Sequence, residues 1–403
     1  PDRLKLYRYT GMPMQEYELN IGGVRKFKND NALGGILAIS YRNEQTKTDY
    51  IDQLPPNDNF YWFEGSEYSF NTTISALLNA AYSFGKHKIS TKNTVTRKLR
   101  ESSFIYHGGT EGSTDLNAYA HFPLINTLVQ TRLEGEHALG AKGVKLTWHG
   151  GYALTLRDEP DNMRIQGTKQ KSDVSYNYIT GGDAYGFATT FFSELKEHRF
   201  TWSGDIELPF KSLGQQQLIK AGYQGSYRKS DFDSERFFLR ADGSSGNEYR
   251  GLPYYEALSN ENVAAGNLVY YPTLASNTIT TDLRTNGYGG NQRLNAFYAM
   301  IDGHATKNLR IIAGVRAEKN EMTTISTFGE HRSGVFQQWD SVVNLDKLDW
   351  LPSVNVVYSF TPKFNVRASY YNTVARPDIR EISFFRYFEP QINSFTFGND
   401  LKS

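Results

Sequence analysis

WLPSVNVVYSFTPKFNVRASYYNTVARPDIREI, residues Trp350 to Ile382, decides the fold. Val354, Val356, Tyr358 and Phe360 fall on one face of an extended chain, with Ser353, Asn355 and Ser359 on the other. Thr361-Pro362 opens a tight turn, and then Phe364, Val366, Ala368 and Tyr370 alternate with Asn365, Arg367, Ser369 and Tyr371. Strict alternation across a turn predicts a β-hairpin with one apolar and one wet side. The hairpin must stop at Arg376-Pro377, because proline donates no ladder hydrogen bond and restricts the residue before it. Periodicity alone does not separate a membrane sheet from any antiparallel hairpin followed by a proline-started loop.

The same alternation runs along the chain. Ile74, Ala76, Leu78, Ala80 and Tyr82 oppose Thr73, Ser75, Asn79 and Ser83, and the return strand Ile89 to Leu99 carries Lys88, Ser90, Lys92, Thr94, Thr96 and Lys98 on its other face. Leu146, Trp148, Leu154 and Leu156 oppose Lys145, Thr147, Thr155 and Arg157. Phe200, Trp202, Ile206, Leu208 and Phe210, then Ile219, Ala221, Tyr223 and Tyr227, continue the pattern, as do Leu309, Ile311, Ala313, Val315 and Ala317. No long segment has a helical period, so the expectation is all-β and antiparallel.

Short turns fall near residues 29, 85, 141, 213, 306 and 363, and long polar segments lie between them at about 50–66, 106–117, 158–183, 241–291 and 328–349. Short links alternating with long ones predict an up-and-down transmembrane barrel with short periplasmic turns and long external loops. Six hairpins give about twelve strands. Aromatic residues near the short turns, Tyr82, Phe84, Phe210, Phe360 and Phe364, suit a ring at headgroup level.

Composition is consistent with this. The mean hydropathy is −0.56, and no apolar run approaches the roughly 20 residues of a membrane helix. A barrel gives that result, since only alternate residues face lipid. Lys+Arg 44 against Asp+Glu 43 leaves +1, so no bulk charge points to nucleic acid. The 403 residues include no cysteine, which excludes thiol chemistry and thiolate metal sites.

The order LPS, alternating strand, short turn, ASY, alternating strand, then ARPDIREI resembles the mid-barrel segment of TonB-dependent outer-membrane receptors. The resemblance implies energy-coupled uptake of a scarce nutrient across the outer membrane of a Gram-negative bacterium. It implies no covalent chemistry. Its partners would be outer-membrane lipid, an extracellular ligand or a surface lipoprotein delivering it, and the TonB complex. In this family an N-terminal plug sits inside a barrel of twenty-two strands, and further hairpins follow the motif. Residues 1–403 are therefore expected to be a middle section of a longer barrel, with plug and C-terminal strands outside this chain. Within the motif, Arg376, Pro377, Arg380 and Glu381, with Asp378, are expected to play a structural part in a local charge network. Two alternatives stay open: a passive porin-like or adhesive barrel, and a soluble secreted β-sandwich binding module.

Catalytic motifs are absent: there is no G-x-S-x-G, H-E-x-x-H or G-x-x-x-x-G-K-[ST] string. No cofactor or metal is expected. His149 and His198 read as lumen-facing, and Asp231–Glu235 and Asp158–Asn162 read as solvated loop charge. For ligand capture the candidates are Tyr61, Trp62 and Phe63, with Tyr249, Arg250, Tyr254, Tyr255, Tyr270 and Tyr271 in the segment 241–291. Aromatic faces beside amides and hydroxyls suit sugars, peptides or aromatic chelates. The same rings would equally suit an outer aromatic ring or the packing of loops. The segment 241–291 is expected over the barrel mouth, in contact with the ligand.

Overall fold

The computed structural model describes residues 10–53, 61–110, 114–140, 143–170, 175–176, 188–241, 252–271, 287–332, 335–383, 386–389 and 394–397. The strands are β1 (Gln15–Lys26), β2 (Ala32–Gln53), β3 (Tyr61–Phe84), β4 (His87–Thr110), β5 (Thr114–Leu139), β6 (Val144–Gln170), β7 (Ala188–Ser212) and β8 (Gln215–Ala241). Two short helices, α1 (Tyr254–Ala257) and α2 (Asn260–Ala264), precede β9 (Leu268–Tyr271). Then come β10 (Gly287–His304), β11 (Leu309–Arg332), β12 (Val335–Thr361), β13 (Phe364–Tyr371), α3 (Ile379–Ile382), β14 (Arg386–Glu389) and β15 (Ser394–Phe397).

β1 to β8 and β10 to β13 pair in chain order, every neighbour antiparallel, while β9 adds to the far end of β8 and β14–β15 form a separate hairpin. This is the up-and-down order that the alternation predicted. One sheet in chain order is not a Greek-key sandwich. Among the described residues the sheet is open, with β1 and β13 at its edges.

The predicted short turns near residues 29, 85, 213, 306 and 363 are present, and the one near 141 lies partly outside the described residues, between the paired Leu139 and Val144. At Leu213-Gly214 both residues have positive φ, 52° and 71°, as a two-residue hairpin matching strand twist requires. Leucine in that region costs about 1–2 kcal/mol. The long links differ from expectation. The polar segments at 50–66, 106–117, 158–183 and 328–349 are in large part continuations of the strands, which run to 27 residues in β6, β8 and β12. Ladder hydrogen bonds need no apolar side chains, so a strand leaving a membrane loses its alternation without losing its pairing. Asp231–Glu235 and Asp158–Asn162 accordingly lie in β8 and β6, not in loops. About 9–11 residues suffice to cross a bilayer, so more than half of each long strand projects beyond one.

Cross-strand register settles the faces. Leu78 pairs with Leu37 and Asn93, Leu154 with Val129 and His198, and Phe297 with Tyr223 and Ala317. On β6, Leu146, Trp148, Leu154 and Leu156 share the apolar face, and Lys145, Thr147, Thr155 and Arg157 the polar one. Those four apolar β6 side chains are half-buried, and elsewhere on the same face of the sheet apolar side chains are bare, with Leu78 on β3 at 55% and Phe297 on β10 at 62% exposure. Rows of this kind are unstable in water and suited to lipid. His149 joins the polar face, opposite Ser203. His198 corrects the expectation: it lies on the apolar face beside Leu154, and the Tyr152 hydroxyl reaches its Nδ1 at 2.9 Å. It sits one step beyond Phe200, at the wet rim of that face, where an imidazole is tolerated.

Phe200 and Phe210 share this face of β7, ten residues apart, as do Trp350 and Phe360 on β12. Ten residues at about 3.3 Å, tilted by about 40°, give roughly 25 Å of height, the span of a transmembrane apolar band. A bulge in β6 at Glu159/Asn162, where Pro160 cannot donate, then switches side-chain parity. Beyond it Met163 and Ile165 continue the face of Leu154.

Candidate functional site: a strap across the polar face

β13 has eight residues, far fewer than its neighbour β12. After Asn372, whose N–H donates to the Pro352 carbonyl at 3.1 Å, the chain leaves the sheet and crosses the polar face. Pro377 has no donor to lose by leaving a ladder. Arg376 anchors the crossing: its guanidinium meets Glu318 on β11 at 2.6 Å and Asp349 on β12 at 2.7 Å. Arg316 meets the same Glu318 at 2.5 Å. Two guanidinium groups thus face two carboxylates in a largely buried cluster. Removing one member of such a set strands its partners, at a cost of about 3–5 kcal/mol.

The next residues form α3, one turn closed by a capping box. The Asp378 carboxylate accepts from the Arg380 N–H at 3.1 Å, and Glu381 accepts from the Asp378 N–H at 2.8 Å. The reciprocal bonds satisfy donors that a helix start otherwise leaves open. Ile379 and Ile382 then insert among Phe191, Phe232, Tyr288 and Met322, with Leu195 and Leu345 alongside. These come from β7, β8, β10, β11 and β12, so the strap spans five strands. Gly290 makes room on β10, since a Cβ there would collide with the Ile379 side chain.

Asp378 also accepts from the Arg228 guanidinium on β8 at 2.7 Å, and Arg228 is held by Glu197 on β7 at 2.6 Å. Burial works to raise the Asp378 carboxyl, but the Arg228 guanidinium and the Arg380 N–H outweigh it and hold it below the usual carboxylate range. Burial pushes the neighbouring Tyr288 hydroxyl up to about 12.

The motif residues were expected to pair among themselves. The capping contacts do so, but Arg376 reaches β11 and β12, and Asp378 reaches β8. The network is therefore a long-range clamp. Arg228 and Asp349 carry no local sign of the strap, because Asp349 lies 27 residues from Arg376 and Arg228 lies 150 from Asp378.

The aromatic candidates for ligand capture are dispersed. Tyr61, Trp62 and Phe63 open β3. Tyr249 and Arg250 lie outside the described residues. Tyr271 pairs with Phe238 in the β8–β9 ladder. Tyr254 is buried, stacked on Tyr119 at 4.3 Å and edge-on to Tyr255 at 5.6 Å. With Ala257, Leu258 and Leu268 it packs on Ile165, Ala188 and Leu239. Those strand residues belong to the face that carries the apolar band. The described part of 241–291 is therefore not a structureless segment over the mouth. It is a helical clasp on the outer wall, where Ile165, Ala188 and Leu239 offer an apolar surface to Tyr254 and Ala257 of α1. Tyr255 and the half-exposed Tyr270 line a cavity beside it.

A family model described as the outer membrane protein beta-barrel family matches residues 258–402, a span that includes β10 to β13 and the strap. The match supports an outer-membrane β-barrel and an outer-membrane location. No curated protein matches the chain. Among solved structures, BauA, the ferric preacinetobactin receptor from Acinetobacter baumannii, aligns over 89% of this chain and 74% of its own, at 7% identity and a TM-score of 0.18. A likeness of that size carries no functional argument.

Proposed function

We propose that this chain is barrel wall of a TonB-dependent transporter, taking up a scarce nutrient ligand through an outer-membrane barrel and coupled to TonB through a region outside residues 1–403. The observation that carries the reading is the strap. The polar face would be the lumen wall, and the ARPDIREI segment crosses it just beyond the apolar band, clamped at Glu318, Asp349 and Arg228. A passive pore works by leaving its lumen clear. A lumen narrowed by a strap fits gated, ligand-specific passage better.

The test uses cells lacking the full-length protein, grown with iron, cobalamin, a glycan or a peptide as the limiting nutrient. One medium should reveal a defect, and uptake of that nutrient should stop when a protonophore collapses the energy supply. Uptake that continues under the protonophore would point to a passive barrel instead.

A further inference from the structure

The clasp encloses a cavity of about 370 Å³, within the roughly 300–1,000 Å³ of small-ligand sites. Ile165 and Leu258, almost fully buried, lie at its base; Phe192 and Phe237 line its sides edge to face at 6.1 Å; Tyr255, Tyr270 and Asn260 stand at its mouth. This site is separate from the strap. Phe191 packs under the strap on the polar face, while its neighbour Phe192 turns to the opposite face and into the cavity.

We propose that the cavity binds a sugar ring of a glycan lying outside the barrel. Position is the first reason. Phe192 is eight residues beyond Phe200 on β7, roughly 26 Å along the strand and about 20 Å in height. Acyl chains do not reach that height, and a solute in the lumen does not reach that face. What surrounds the wall there is water and surface carbohydrate. Lining is the second reason. A pyranose ring offers an apolar C–H face to aromatic rings and hydroxyls to a polar rim. Phe192, Phe237 and Tyr255 supply rings, and Asn260 and Ser259 supply an amide and a hydroxyl.

This inference rests on the orientation of the barrel and not on energy coupling, so failure of the protonophore experiment leaves it standing. The test measures binding by the detergent-solubilised full-length protein of three probes: deacylated lipopolysaccharide from its own host, intact lipopolysaccharide, and maltoheptaose. Saturable binding of deacylated lipopolysaccharide supports the proposal with the cell's own surface as source, and binding of maltoheptaose supports it with an external source. Tyr255→Ala and Tyr270→Ala should each weaken that binding about tenfold. Tyr270 is half exposed, so its replacement leaves the fold intact even if that of Tyr255 does not. Gly290→Leu, at the strap, should leave glycan binding unchanged. Binding of intact lipopolysaccharide alone would assign the cavity to an acyl chain and overturn the proposal. So would indifference to Tyr270→Ala, or no binding of either glycan.

Discussion

Asp378 meets Arg228 at 2.7 Å across 150 residues of sequence, joining the segment after β13 to the middle of β8. The contact fastens a loop segment over the polar face at the level where the apolar band ends. Asp378→Asn tests it cleanly, because asparagine still caps a helix while losing the charge. Asp378 is about half exposed, so solvent screens the pair and the expected loss is about 1–2 kcal/mol. Hydrogen exchange at the amides of Glu381 to Ser383 should speed up by the matching factor. Unchanged protection would mean that the pair does not hold the strap.

Acid should release the same contact. The Asp378 carboxyl sits below its ordinary value when docked, so its stabilising contribution is complete above the ordinary value of about 4 and declines as pH falls through the lower, docked value. Arg228 stays charged throughout. Strap amides should therefore lose protection progressively below about pH 4, and Asp378→Asn should reduce that dependence to the part carried by Glu318 and Asp349 under Arg376. An undiminished dependence in the variant would place the titrating group elsewhere.

Gly290→Leu should push Ile379 off β10. The sheet itself carries on, since leucine fits a strand and the pairing of Gly290 with Ser230 and Thr324 is through the backbone. The expected result is an undocked strap in an intact barrel, read as larger conductance of the full-length protein in a planar bilayer. Wild-type conductance together with a docked strap would show that the collision is relieved by a small shift.

The two faces of β6 should tolerate charge unequally. Leu146→Arg puts a guanidinium on the apolar face opposite Ile206, inside the band bounded by Phe200 and Phe210, and should destabilise by about 2–4 kcal/mol near the bilayer midplane. Thr147→Arg, one residue on, should be mild. Unfolding in lipid vesicles gives both values, and equal costs would contradict the lipid-facing assignment.

The sequence by itself determined the strands, their short turns and their faces. Val354, Val356 and Tyr358 alternate with Ser353 and Asn355, and a period of two has one physical reading whatever surrounds it. Leu146 and Lys145 were legible for the same reason, as nearest neighbours on opposite sides of one strand. Where the strands ended was not legible, because beyond the apolar band hydrogen bonding continues and hydrophobic alternation does not. The switch of face at the β6 bulge was hidden too, and with it the exterior location of Ile165 and Tyr255. His198 was misplaced by its polarity, since only register showed it beside Leu154. The strap was half visible: Pro377 marked a departure from the sheet, but its destination depended on Glu318, Asp349 and Arg228. Those partners meet it through closure of the chain in space, which local sequence does not encode.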